Sequence, residues 1–100
     1  MPARILFINP IGTSAFDEPM KKYLNQYKRP DTVVDVASLS KGPLHLEYYS
    51  YDALVIPEIL KLVKKAEREG YDAAVIGCFY DPGLHEAREI TNIVVTAPCE

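Results

Sequence analysis

The alternation of strand-like and helix-like segments constrains this 100-residue chain most. Short apolar runs rich in β-branched residues, typical of strands, alternate with stretches whose apolar residues recur at helical spacing. Four strands are predicted, over residues 5–8, 32–37, 73–78 and 93–95. Because a helix separates each strand from the next, the strands are expected to form one parallel sheet. The sequence therefore predicts a doubly wound α/β domain over residues 1–100, with strand order 2-1-3-4 and helices on both faces.

The segments between the strands predict three helices and one long connection. The first helix has Asp17 as its N-cap, the second opens at Asp52, and the third covers 84–90. Pro57 lies inside the second helix and is expected to kink it or split it. The first strand, 5–8, is a continuous apolar run of the kind that is buried on both faces. The polar connection over 38–51 is long for a compact domain and is typical of a functional or mobile loop.

Charge and composition exclude several classes of protein. The formal charge of −3 gives no electrostatic basis for nucleic-acid binding, which needs a basic patch. The apolar runs are far shorter than the roughly 20 residues that span a bilayer, so no membrane partner is expected. Two cysteines without CxxC spacing predict neither a disulfide framework nor a metal site. The expected location is the cytoplasm.

The topology predicts where a ligand lies. In open parallel sheets, ligands bind beyond the carboxyl ends of the strands, where the strand order reverses. Here the reversal falls between the first and third strands. The loops that follow them cover 9–14 and 78–83, and they are the least generic stretches of the sequence. Two separate arguments thus point to one edge of the sheet.

Cys78 is the residue of greatest chemical interest at that edge. Most buried cysteines are inert small hydrophobes, and this structural interpretation stays open. Amide groups and a helix that follow Cys78 favour a reactive thiol with a lowered pKa. A cysteine phosphatase needs an arginine six residues on, where this chain has Leu84, and Asp81 breaks a thioredoxin-like motif. Cys99 has no comparable context and is predicted to be incidental.

Several short motifs add a more specific signal. They read Arg-Ile-Leu-Phe-Ile-Asn-Pro at 4–10, Thr-Ser at 13–14, Gly-Pro at 42–43, Glu-Gly-Tyr-Asp-Ala at 69–73 and Cys-Phe-Tyr-Asp-Pro-Gly-Leu at 78–84. Over nearly the whole chain they resemble the N-terminal half of the hydantoin racemase group, within the aspartate/glutamate racemase superfamily. That family commonly reads Asn-Pro-Asn-Thr-Ser in the first loop. This chain departs from it, with Ile11 and Gly12 between the proline and the threonine.

The resemblance implies a racemase that uses no cofactor and no metal. Such an enzyme inverts a carbon next to a carbonyl, here in a small molecule such as a hydantoin or an amino acid. One cysteine removes a proton from one face of the carbon, and a second cysteine returns a proton to the other face. The resemblance implies Cys78 as the first of these, together with six substrate-binding residues: Asn9, Pro10, Thr13, Ser14, Phe79 and Tyr80.

Several of these residues, and others in the chain, also fit purely structural roles. Asn9 and Ser14 are equally suited to turn and capping roles, and Asp81 fits a turn better than catalysis. The two histidines, His45 and His85, have no matching partners and are predicted to lie on the surface. Three tyrosines either line the cleft or cover the core: Tyr48, Tyr49 and Tyr51.

The chain length bears on the mechanism. Members of the resembling family have two such lobes, with one catalytic cysteine on each, so this chain is expected to be one lobe of a two-lobed fold. Cys99 follows the fourth strand and is expected at the same rim as Cys78. The second cysteine then comes from a missing lobe or from a second copy in a homo-oligomer. The alternative is a non-catalytic domain for small-ligand binding or assembly that retains the pocket loops.

Overall fold

A computed structural model describes residues 3–100, so the first two residues of the predicted domain lie outside the described part. Strands and helices alternate throughout it. The strands are β1 (Arg4–Asn9), β2 (Val33–Ser38), β3 (Ala73–Ile76) and β4 (Val94–Thr96). The helices are α1 (Asp17–Tyr27), α2 (Tyr49–Arg68) and α3 (Leu84–Ile90).

The four strands form one sheet in the order β2-β1-β3-β4, and every pairing is parallel. β1 lies in the middle and pairs on one side with β2, where Asn9 stands opposite Ser38. On its other side it pairs with β3, where Ile8 stands opposite Ile76. The strand order therefore reverses between β1 and β3. The predicted fold class and strand order are confirmed.

The helices cover the two faces of the sheet unequally. α2 packs against β1 and β3 and also contacts α3, whereas α1 contacts β2. Since parallel crossovers are right-handed, α1 lies on the face opposite α2 and α3. The largest fully buried side chains come from the sheet and α2: Ile8, Ile59, Ile76, Val55, Val63 and Pro10. The core thus lies between the sheet and α2.

The prediction that the first strand is buried on both faces is wrong. Leu6 and Ile8 are buried, but the alternating Ile5 and Phe7 are only half-buried. The reason is that α1 contributes no buried residue to the face they point to. That face is covered, but it is not packed as tightly as the other.

Two element boundaries differ from the prediction in ways that affect the site. α2 begins at Tyr49, three residues earlier than predicted, and continues unbroken through Pro57 to Arg68. β3 ends at Ile76, because the Cys78 amide donates to the Ile76 carbonyl at 2.9 Å and turns the chain out of the ladder. Cys78 therefore lies in the loop after β3 and not in the strand.

Candidate functional site

The carboxyl ends of β1 and β3 carry the two loops that the sequence singles out. The Gly77 amide donates to the Ile8 carbonyl at 2.8 Å, which makes it the last bond between these strands. Asn9, the last residue of β1, and Cys78, in the loop after β3, both follow that bond. The expectation that they share one edge of the sheet is confirmed, and the edge is the one where ligands bind in open parallel folds.

The Cys78 loop is a tight turn that leads into α3. The Cys78 carbonyl accepts from the Asp81 amide at 3.0 Å, and the Asp81 carbonyl accepts from the Leu84 amide at 3.3 Å. Asp81 adopts a left-handed backbone with φ of 50°. Its Oδ1 accepts from the amide of Cys99 at 3.1 Å. Asp81 is thus engaged as a turn device, and Cys99 lies at the same rim as Cys78, both as expected.

The predicted lowering of the Cys78 pKa is contradicted by the surroundings of the thiol. Burial raises the pKa of the Cys78 thiol above its usual range, and the charges of Asp52 and Asp81 raise it further. A hydrogen bond from the Tyr80 backbone acts in the opposite direction but is outweighed. The predicted lowering required stabilisation of the thiolate by backbone amides and by the N-terminus of the following helix. That helix begins only at Leu84, and its first amide is already bonded to Asp81.

The first loop lies against the connection between β2 and α2. The Ile11 carbonyl accepts from the Leu39 amide at 3.0 Å, and the Gly12 amide donates to the Pro43 carbonyl at 2.8 Å. A Cβ on Gly12 would stand 2.2 Å from the Gly42 carbonyl oxygen, so only glycine fits this contact. Pro10 is fully buried and fills the core beneath the loop. The two residues that depart from the family pattern are thus the ones that fasten the loop.

Thr13 and Ser14 serve the turn before α1 in this state. Thr13 Oγ1 accepts from the Ala15 amide at 3.2 Å, and the Ser14 carbonyl accepts from the Asp17 amide at 3.0 Å. For Ser14 this is the turn role that the sequence left open. The backbone amides of Thr13 and Ser14 have no acceptor among residues 3–100. They are available to a negatively polarised oxygen.

The aromatic residues around Cys78 are exposed. The side chains of Phe79 and Tyr80 are 76% and 60% exposed, so they border the site and do not pack into the core. Tyr51 packs against the core, which answers one of the alternatives for the tyrosine cluster. Tyr48 and Tyr49 instead line a groove with Tyr80. Both histidines are exposed, as predicted.

Asp52 is a site residue that sequence reasoning missed. The sequence predicts it only as the first residue of a helix, but its Oδ1 is buried and has no hydrogen-bond partner among residues 3–100. The signal was the spacing: Asp52 stands three residues before Val55, on the same stripe as the buried residues Val55, Ile59, Val63 and Ala66. Asp52 as a whole is half-buried, but a carboxylate oxygen shielded from solvent on this stripe is unusual and makes Asp52 a candidate site residue.

A groove of about 140 Å³ adjoins this carboxylate, and we call it the Asp52 groove. Its lining residues are Leu46, Glu47, Tyr48, Tyr49, Asp52 and Tyr80. It connects the first turn of α2 to the loop that carries Cys78. A larger open hollow of about 520 Å³ lies between the Gly42-Pro43 turn and a neighbouring face of α2, and its lining includes none of the predicted site residues. Of these two, only the smaller groove is lined by a predicted site residue, Tyr80, so we take it as the candidate ligand site.

Two negative findings apply to the part of the chain that the structure describes. Residues 3–100 contain no group of three or more His, Cys, Asp or Glu side chains placed to hold a metal ion. Within the same range, no helix is both long enough and apolar enough to cross a membrane.

The fold and the position of Cys78 define the class of protein: an α/β lobe with a half-buried thiol at the switch point of an open parallel sheet. Comparison with known proteins gives the family. The chain belongs to the Asp/Glu/Hydantoin racemase family, which matches residues 5–100. The resemblance noted from the motifs is therefore confirmed.

Several relatives are hydantoin racemases. The one from Pseudomonas sp. (strain NS671) is 39% identical over 97 residues, which are 97% of this chain and 39% of the relative. The one from Paenarthrobacter aurescens is 37% identical over 98 residues, 97% of this chain and 42% of the relative. Among solved structures, allantoin racemase from Klebsiella pneumoniae has a TM-score of 0.89 and 27% identity, covering 95% of this chain and 39% of that one. The chain thus spans about two fifths of the length of the relatives it matches.

Proposed function

We propose that this chain is one lobe of a cofactor-independent racemase that acts on a carbon next to a carbonyl, in a hydantoin-type substrate or an amino acid. The observation that carries the proposal is the position of Cys78, half-buried at the carboxyl edge where β1 and β3 diverge. Similarity to hydantoin racemases over 97% of the chain supports it. The two free cysteines fit a reducing, cytoplasmic location.

In this proposal Cys78 acts as one of two acid/base groups. A thiolate takes the α-proton from one face of the carbon, the electron pair moves toward the carbonyl oxygen, and a thiol on the other face returns a proton. The raised pKa makes the Cys78 thiolate a stronger base but leaves less of it ionised near neutral pH. Proton removal by Cys78 is therefore expected from its small thiolate fraction, and exchange should become faster as the pH rises toward the pKa of the thiol.

The loops supply the rest of the site. The free amides of Thr13 and Ser14 stabilise negative charge on the carbonyl oxygen, in the manner of an oxyanion hole. Asn9 orients the substrate, and the exposed rings of Phe79 and Tyr80 border the pocket. Pro10 contributes indirectly, by holding the first loop on the core.

The second acid/base group is proposed to come from outside this sheet edge. Cys99 is exposed, and its amide is bonded to Asp81 on the rim that also carries Cys78. It therefore approaches a bound carbon from the same side as Cys78 and cannot serve the opposite face. A second lobe, or a second copy of the chain related by a two-fold axis, brings a facing cysteine.

Hydrogen exchange tests the proposal. A hydantoin incubated with the chain in heavy water should gain deuterium at its α-carbon faster than in buffer alone. The Cys78→Ser variant should abolish the gain, and Cys99→Ser is the matched control that should retain it. Loss of optical activity should rise steeply with chain concentration if two copies must meet. Exchange that survives Cys78→Ser would contradict the assignment.

The alternative is a non-catalytic domain that retains the pocket loops for ligand binding or assembly. It is favoured by the single-sided site, since the described residues offer no cysteine facing Cys78. The same experiment separates the two functions. Binding of a hydantoin without any exchange above the buffer rate would favour the alternative.

A further inference from the structure

Asp52 carries an acceptor that the described chain leaves unsatisfied. Its Oδ1 is buried and has no donor among residues 3–100. Buried polar atoms are nearly always hydrogen-bonded, because burial removes water that must be replaced by another partner. An unpaired carboxylate oxygen beside a groove therefore marks a place where a donor from outside the chain, a water molecule or a ligand, completes the contact.

A purely structural role accounts poorly for this residue. An aspartate in the first turn of a helix interacts favourably with the helix dipole. That interaction needs no burial, and an exposed position in the same turn would provide it without desolvation. Asp52 instead lies on the inward stripe with Val55 and Ile59. Side-chain capping is also excluded as its role, since the N-terminus of α2 has no side-chain cap.

The chemistry of the Asp52 groove narrows the class of ligand. An ionised carboxylate only accepts hydrogen bonds, so its partner must present an N–H or O–H group. The lining includes a second acidic residue, Glu47, and no lysine or arginine. An anionic ligand would meet like charge without a compensating cation. The groove thus favours an uncharged group that donates a hydrogen bond.

We propose that Asp52 is a specificity-determining residue of the Cys78 site, and that its carboxylate accepts a hydrogen bond from a ring N–H of an uncharged cyclic ureide bound beside the thiol. The inference rests on the proposed function, because it assigns a role in recognising that substrate. The groove holds the volume of about five water molecules, at roughly 30 Å³ each, which suits one edge of a small ring. The rest of the ring then lies toward Cys78.

Two further observations support the placement. Asp52 and Tyr80 line the same groove, and Tyr80 lies two residues after Cys78 in the loop that carries the thiol, so a small ligand in the groove borders that loop. Tyr49, which lines the groove, is 90% exposed, and Tyr80 opposite is also exposed. Exposed side chains change rotamer within nanoseconds, so these rings admit a ligand to the buried oxygen without disturbing the core.

A ligand series tests the contact in the unaltered chain. The probes are 5-benzylhydantoin and its N1-methyl and N3-methyl derivatives, with dissociation constants from chemical-shift titration of the isotope-labelled chain. Methylation of the nitrogen that donates to Asp52 should weaken binding about 10- to 100-fold, the range for a hydrogen bond to a charged group. Methylation of the other nitrogen serves as the control for added bulk.

Variants then assign the effect to Asp52. In Asp52→Ala the dissociation constants of the parent and the methylated ligand should differ by less than about twofold, because the hydrogen-bond acceptor is gone. Asp52→Asn keeps the volume and a neutral acceptor, so it should restore part of the difference. The matched control is Glu58→Ala, on the same helix but outside the Asp52 groove, where Glu58 pairs with Lys61 at 3.1 Å. It should retain the full difference.

The outcomes separate this inference from the proposed function. The role proposed for Asp52 is wrong if 5-benzylhydantoin binds but neither methyl group weakens its binding. It is also wrong if Asp52→Ala keeps the difference in dissociation constant between parent and methylated ligand. Both conclusions hold even where deuterium exchange occurs. If Asp52 controls the difference but no exchange occurs with any partner lobe or copy, the contact stands and the racemase proposal is wrong. If the parent hydantoin does not bind at all, both are overturned.

Discussion

Replacing Gly12 with alanine tests whether the first site loop is held by backbone contact. Gly12 lies against the Gly42-Pro43 turn, where an added Cβ would stand 2.2 Å from the Gly42 carbonyl oxygen and 2.7 Å from its carbonyl carbon and nitrogen. All three are backbone atoms, so no side chain can rotate away. The contact must lengthen from 2.2 Å to at least 3.0 Å, a separation of about 0.8 Å between the loops.

The loss of stability follows from the hydrogen bond that this separation breaks. The Gly12 amide donates to the Pro43 carbonyl at 2.8 Å, and an added 0.8 Å puts the bond beyond a useful length. Its loss costs about 0.5–1.5 kcal/mol, and overpacking adds about 1–3 kcal/mol. We expect Gly12→Ala to lower the free energy of unfolding by about 2–4 kcal/mol. For a domain of this size the melting temperature should fall by roughly 10–25 °C.

Thermal and urea unfolding followed by circular dichroism measure this effect. Ser40→Ala, at an exposed position in the facing connection, is the control and should change stability by no more than about 0.5 kcal/mol. A Gly12→Ala chain as stable as the control would refute the reasoning, because it would show that the two loops separate freely.

Three further predictions concern the thiol and the core. At neutral pH, iodoacetamide should modify the exposed Cys99 faster than Cys78, and Asp52→Asn should accelerate Cys78; equal rates at the two cysteines would contradict the raised pKa. The folded chain holds the Cys78 proton more tightly than the unfolded chain, and this stabilises the folded state. The stabilisation is complete below about pH 8 and is lost as the pH rises through the pKa of Cys78 in the folded chain. Between about pH 8 and about pH 10, the free energy of unfolding measured in urea should therefore fall more for the wild type than for Cys78→Ser. Parallel pH dependences of the two chains would contradict the raised pKa of Cys78. Ile59→Ala should cost about 2–5 kcal/mol in the same assay and the exposed Leu54→Ala under 1 kcal/mol, since only Ile59 is fully buried.

The sequence was sufficient for the fold because its signals are local. Helical spacing, the alternation of elements and the handedness of parallel crossovers together define the strand order, and the order places Asn9 and Cys78 at one edge. The electrostatics of the thiol were not predictable in the same way. They depend first on the burial of Cys78 in the fold and then on charges such as that of Asp52, which is 26 residues away in the sequence. Long-range desolvation and charge have no signature in a local motif.

The departure of the first loop from the family pattern shows how function depends on such packing. Ile11 and Gly12 replace an asparagine that the family commonly carries between its proline and threonine, and both bond through the backbone to the connection before α2. That connection continues into Tyr48 and Tyr49, which line the Asp52 groove. We expect a shift of the first loop to displace this connection and, with it, the groove. Under the proposed function, Gly12→Ala should therefore weaken hydantoin binding as well as stability. Unchanged affinity in a destabilised Gly12→Ala chain would show that the loop and the groove are independent.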